Sequence, residues 1–108
     1  MAVVNRFDVY LINLDPVPSD DPKNTRPAVI ISPDEINRNI ANVIVAPLSS
    51  TKNPYPTRVE VEFLNAPRSI ILDQIRTVDK SRLVKKIGEI SGEARLATLA
   101  RLAEMFAE

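Results

Sequence analysis

The chain has no histidine, no cysteine, no tryptophan and only two glycines, Gly88 and Gly92. Without histidine or cysteine there is no serine triad, no thiol nucleophile and no zinc-finger-type site. With two glycines there is no glycine-rich phosphate loop and no dinucleotide fingerprint. No stretch approaches the roughly 18 uninterrupted apolar residues of a membrane span. The start, Met1-Ala2-Val3-Val4-Asn5-Arg6, lacks the long apolar core of a signal peptide. The missing cysteines fit the cytoplasm, which is the expected location. Neither sign of charge dominates: 14 basic and 14 acidic residues give a formal net charge of zero. Bulk charge therefore cannot drive nucleic-acid binding, and any such contact must come from a local patch.

What is present fits one small domain spanning residues 1–108, since two cores rarely fit in so short a chain. Apolar residues make up 44%, enough for a modest core. Nine prolines separate the apolar runs and read as punctuation of a β-rich fold. Strands are predicted at 8–14, 27–31, 43–46, 58–63 and 69–73, with a sixth at 75–78 and a short strand or extended link at 85–90. Pro27-Ala28-Val29-Ile30-Ile31 is apolar throughout and so expected to be central, whereas Arg58–Phe63 alternates as a half-exposed antiparallel strand does. Ser32 is the predicted N-cap of a short helix with Pro33 in its first position and Glu35 completing a capping box. Asp79 is expected to cap one further turn. The clearest helix is C-terminal, with Ser91 as N-cap and Leu96, Leu99, Leu102, Ala103 and Phe106 as its apolar face. The expected class is β-rich α+β: a small, twisted, antiparallel, barrel-like sheet with short helices and a C-terminal helix.

Two polar segments, 17–25 and 49–56, read as long loops of the kind that carry function. Arg26 follows the first and precedes a buried strand, where its planar fork could hold a phosphate or carboxylate. Ser49 and Ser50 open the second and offer hydroxyl donors. Asp20 and Asp21 could supply a carboxylate base. Gln74 and Arg76 would share a face of an extended Asp73-Gln74-Ile75-Arg76-Thr77 segment. Lys80, Arg82, Lys85 and Lys86 form the basic cluster. From position alone these are also compatible with a surface salt bridge, ordinary turn residues, a structural hydrogen-bond network and a solvated face.

Order and spacing of several segments resemble the MazF/PemK (Kid) family of toxin endoribonucleases. The matching stretches are Arg6-Phe7-Asp8-Val9-Tyr10, Leu14-Asp15-Pro16 and Thr25-Arg26-Pro27-Ala28-Val29-Ile30-Ile31-Ser32-Pro33. They continue with Val43-Ile44-Val45-Ala46-Pro47-Leu48-Ser49-Ser50 and Leu72-Asp73-Gln74-Ile75-Arg76-Thr77-Val78-Asp79-Lys80. The resemblance implies a CcdB/MazF-type barrel-like fold, a homodimer, cytoplasmic cleavage of single-stranded RNA at a short sequence without metal or cofactor, and a cognate antitoxin with an acidic flexible tail. Residue by residue, it implies that Arg26 is the catalytic arginine, Ser49 the hydroxyl and Asp21 the carboxylate where the family often has glutamate. It places Gln74, with Arg76, Thr77, Ser50 and Lys80, along the RNA groove. The chain departs from the family at Phe7, where glycine is usual, and at Ser19-Asp20-Asp21, where Gly-Ser-Glu is usual.

RNA carries its own nucleophile, the 2′-hydroxyl, so such an enzyme needs only positioning and charge stabilisation. The resemblance then implies Arg26 as electrostatic stabiliser and donor to the leaving 5′-oxygen, Ser49 holding a phosphate oxygen, Asp21 as base, and 2′,3′-cyclic phosphate and 5′-hydroxyl ends. Two other readings stay open: a non-catalytic binding module of the same fold, which the altered loop and zero net charge favour, and a gyrase-directed toxin of the same superfamily.

Overall fold

The computed structural model describes residues 3–13, 24–50 and 55–107. Seven strands and two helices follow in the order β1 (Asp8–Asn13), β2 (Thr25–Ile30), α1 (Asp34–Asn39), β3 (Asn42–Ser49), β4 (Arg58–Phe63), β5 (Ala66–Ile71), β6 (Arg76–Asp79), β7 (Leu83–Glu89) and α2 (Glu93–Phe106). The sheet runs β4-β5-β3-β2-β1-β7, with β6 also paired to β3. Every pairing is antiparallel. Among the described residues no helix is long and apolar enough to cross a membrane.

The strand β3 has three partners along its length. Asn42–Val45 pairs with β6, Val45–Pro47 with β2, and Leu48–Ser49 with β5. It does not stop at Pro47 as the sequence suggests. Pro47 has no N–H to contribute to a ladder, and it sits where β3 leaves β2. The sheet curls about this point. Val29, Ile31, Ala46, Leu48, Ile70 and Leu72 bury one face, while Ala28, Ile30, Val43 and Val45 bury the other. The central strands are apolar throughout because both of their faces are covered.

Two of the three predicted caps are displaced. Pro33, not Ser32, stands at the N-cap of α1. The Ser32 hydroxyl is engaged elsewhere: it donates to Asn37 Oδ1 and accepts from the Ile44 amide at 3.1 Å, tying α1 to β3. Gly92, not Ser91, caps α2, at φ 65°. The inward face of α2 is Ala94, Thr98, Leu99, Leu102 and Met105, with Thr98 fully buried and its hydroxyl donating to the Ala94 carbonyl at 2.7 Å. The predicted apolar face is therefore corrected: Leu96 and Phe106 are each 70% exposed. Threonine can line a core when its hydroxyl is satisfied within the helix, and polarity patterning alone does not register that. The Asp79 cap stands as expected, accepting from Ser81 N at 2.8 Å.

Three non-glycine residues adopt positive φ: Phe7 (73°), Leu64 (52°) and Asn65 (59°). Phe7 stands where the resemblance to the MazF/PemK family implies a glycine. Its amide donates to Ile30 and its carbonyl accepts from Ile90, which pins the backbone on both sides. Its ring is buried, with the guanidinium groups of Arg6 and Arg95 5.9 Å and 5.5 Å from its centre. Leu64 and Asn65 form the two-residue β4–β5 turn, and positive φ at both central positions is the signature of a type I′ turn. At the start of β1 the buried Asp8, beside the edge strand β7, accepts from the Asn5 amide at 2.9 Å and from Lys86 at 3.2 Å. That hydrogen bond and charge hold the Lys86 ammonium above its usual range.

Urea denaturation separates these strains. Leu64 is exposed, so replacing Leu64-Asn65 by Asn-Gly is expected to raise stability by about 1 kcal/mol. Phe7→Gly relieves similar strain but removes a buried ring worth about 3–5 kcal/mol, so it is expected to destabilise. A Cβ on Gly88 would lie 2.8 Å from two carbons of the buried Phe63 ring. Gly88→Ala is therefore expected to cost roughly 1–3 kcal/mol.

Candidate active site

The β2–β3 register sets Ala28 opposite Pro47. Continued outward by two residues, it would bring Arg26 beside Ser49. By that point β3 has turned to β5, so the two strands part and leave a groove. Arg26, Ser49, Ser50, Arg58, Arg68 and Gln74 line it, and its volume is about 530 Å³. Pro27, Pro47, Leu48 and Ile71 complete its walls.

Arg26 is exposed near the start of β2, and its Nη1 donates to the Thr25 carbonyl at 2.9 Å. Ser49 is half-buried at the end of β3, opposite Ser69 of β5. Gln74 reaches the groove because a 3-10 turn, Leu72–Gln74, forms the corner between β5 and β6. The turn is anchored by fully buried Leu72, whose amide donates to the Thr57 carbonyl at 3.1 Å.

Two groove residues, Arg58 and Arg68, escaped the sequence reading. Arg58 opens β4, and its Nε lies 3.5 Å from Asp73 Oδ1. Its guanidinium stacks 4.7 Å from the centre of the Tyr55 ring. Thr57 Oγ1 donates to the same Asp73 oxygen at 2.9 Å. That hydroxyl first, with Arg58 contributing further, holds the Asp73 carboxyl below the usual aspartate range. Asp73 is therefore ionised near neutral pH and fixes Arg58. Arg68 Nε donates to the Phe63 carbonyl at 3.2 Å. A polar loop followed by arginine at the head of an alternating strand was the available signal for Arg58. Arg68 carries none, because the pairing of β5 with the end of β3 is not written locally.

The other predicted residues lie elsewhere. Arg76 and Thr77 are exposed on β6, opposite Val45 and Ile44, and do not line the groove. Lys80 is half-buried, its ammonium donates to the Asn37 carbonyl, and it lines a different cavity with Tyr10 and Leu83. Asp20 and Asp21 lie outside the described residues.

The groove thus gathers three guanidinium groups, two serine hydroxyls and a carboxamide in a chain of zero net charge. Guanidinium stays protonated at any physiological pH. Such a set binds and neutralises an anion, and it offers no strong nucleophile.

Residues 5–106 match the PemK-like, MazF-like toxin family of type II toxin–antitoxin systems. The chain belongs to that family. An endoribonuclease from a mycobacterial species is 25% identical with a TM-score of 0.79, over 96% of this chain and 91% of that one. An endoribonuclease in complex with its cognate antitoxin, also mycobacterial, is 24% identical with a TM-score of 0.76, over 96% and 93%. MazF in a MazE-MazF structure from Deinococcus radiodurans is 19% identical with a TM-score of 0.80, over 99% and 98%. The curled sheet and C-terminal helix are the MazF fold.

The Asp73 contacts predict a pH dependence. A depressed carboxylate stabilises the fold above its usual pKa, and the contribution is lost as pH falls through the folded value. Carboxyl NMR titration is expected to place Asp73 below the usual aspartate range, and Thr57→Val to move it back toward that range. Denaturation midpoints should then fall less steeply on acidification in Thr57→Val than in the wild type.

Proposed function

We propose that this MazF-family chain is a sequence-specific endoribonuclease that cleaves single-stranded RNA without a metal ion, acting as the toxin of a type II module. The observation that carries the reading is the groove that joins Arg26 to Ser49, rich in cations and without a strong nucleophile. RNA supplies the missing nucleophile as its 2′-hydroxyl. Arg26 neutralises the charge that builds on the phosphorane and donates toward the leaving 5′-oxygen. Ser49 donates to a non-bridging phosphate oxygen. The products carry a 2′,3′-cyclic phosphate and a 5′-hydroxyl. Asp21 is the proposed base. Gln74 and Ser50 contact the bases around the cut, and unstacked bases are how single strands are read. Arg76, Thr77 and Lys80 are proposed to meet RNA outside the groove.

The family, and the antitoxin complex named for the mycobacterial endoribonuclease, support a cognate antitoxin, which is proposed to block the groove. Such an antitoxin would present an acidic segment to Arg26, Arg58 and Arg68. The active form is proposed to be a cytoplasmic homodimer.

The test incubates a long single-stranded viral RNA with wild type, Arg26→Ala and Ser49→Ala in EDTA. The wild type is expected to cut at discrete sites. Arg26→Ala should lose about 10²–10³-fold in rate, the usual loss on removing a group that stabilises transition-state charge. Ser49→Ala should lose about 10-fold or more, as for a hydrogen bond to a charged group. Equal cleavage by Arg26→Ala would remove Arg26 from the mechanism. Loss of wild-type cleavage in EDTA would overturn metal independence. Binding without cleavage would favour a non-catalytic module.

A further inference from the structure

We propose that Tyr55 is a base-stacking platform that holds a nucleotide flanking the cut, so that the RNA track runs beyond the groove. The proposal rests on the ribonuclease reading and adds a subsite to it. Arg58 lines both the groove and a second cavity of about 350 Å³. That second cavity is also lined by Tyr55, Glu60, Ser69 and Arg101. Tyr55 is 58% exposed although the Arg58 guanidinium covers one side of its ring at 4.7 Å. More than half of the Tyr55 surface thus remains open to a ligand beside the Arg58 contact.

The platform is held from three directions. Asp73 fixes Arg58 from one side. The Tyr55 carbonyl accepts from the Arg58 amide at 3.0 Å. Arg101 of α2 donates to the Pro56 carbonyl at 2.8 Å, tying the next residue to the helix. An aromatic ring backed by a guanidinium and fixed at its base is ordered before ligand arrives, so little entropy is lost on stacking.

The charges around it indicate what occupies it. Arg58 and Arg101 favour a polyanionic backbone alongside. The Glu60 carboxylate in the same cavity repels a phosphate and accepts hydrogen bonds from a base amino group. A base over Tyr55, with its phosphates toward the two arginines, satisfies all three. Aromatic faces accept every base, so the subsite adds affinity more than sequence choice.

The experiment first maps a wild-type cleavage site on long single-stranded RNA. It then compares a minimal oligonucleotide containing that site with versions extended by four nucleotides on the 5′ or the 3′ side. For each protein the readout is the ratio of kcat/KM for extended over minimal substrate. One extension is expected to raise this ratio about 10-fold in the wild type, mostly through KM, in line with roughly 5–150-fold for one stacked base. Tyr55→Phe should keep the gain and Tyr55→Ala should lose it, with thermal melts verifying that both are folded. An extension of abasic sugar-phosphates keeps the phosphate contacts to Arg58 and Arg101 and should give a clearly smaller gain than the base-bearing one. A gain undiminished by Tyr55→Ala or by abasic substitution, or a wild type indifferent to both extensions, would overturn the platform. A wild type that cuts no RNA at all would instead overturn the ribonuclease reading beneath it.

Discussion

Strand β3 stays paired with β2 only as far as Pro47, and pairs with β5 at Leu48 and Ser49 just beyond it. Where the strands part, the last paired residues present their side chains to a gap rather than to a neighbouring strand. Arg26 and Ser49 stand at that gap. The two faces of apolar packing hold the curl, with the α2 contacts on one side and the Val43–Val45 layer on the other. The site is thus a product of the sheet's geometry: Arg26, Ser49 and Arg58 sit at ends of strands, Arg68 within β5 and Gln74 in the turn after it. Positioning of that kind is what a reaction without a strong protein nucleophile requires.

Local charge, rather than total charge, gives the groove its character. Fourteen cations are balanced by fourteen anions over the chain, yet three guanidinium groups meet at one opening. Asp73 offsets the charge of Arg58 alone and leaves Arg26 and Arg68 without a carboxylate in the groove lining. It is bound to Thr57 and to Arg58, and its effect is to hold Arg58 in place against Tyr55. Phosphate binding needs cations that are ordered before substrate arrives, since each freely rotating arginine loses entropy on binding.

Much of the fold was legible in the sequence. The all-apolar Pro27–Ile31 run did mark a central strand, alternation in Arg58–Phe63 did mark β4, and Asp79 did cap its turn. The misses have a common cause. Ser32, Ser91, Leu96 and Phe106 each obey a local rule that another feature overrides: Ser32 serves β3, Gly92 takes the cap of α2 with its positive φ, and Thr98 joins Leu99 and Leu102 on the buried face where Leu96 and Phe106 were expected. Arg26, Ser49, Ser50 and Gln74 were found because they lie at strand ends or turns. Arg58 and Arg68 were not, because their place in the groove depends on a pairing between segments distant in sequence. Phe7 stood out against the glycine that the resemblance implies, and its positive φ is a conformation that glycine adopts more readily than any other residue.

The central claim is that substrate, not protein, supplies the nucleophile. A single 2′-deoxy substitution on the 5′ side of the mapped cut tests it directly. The account predicts that the substituted RNA competes for binding as well as the all-ribose RNA but stays intact at that bond. Cleavage there at the all-ribose rate would contradict it.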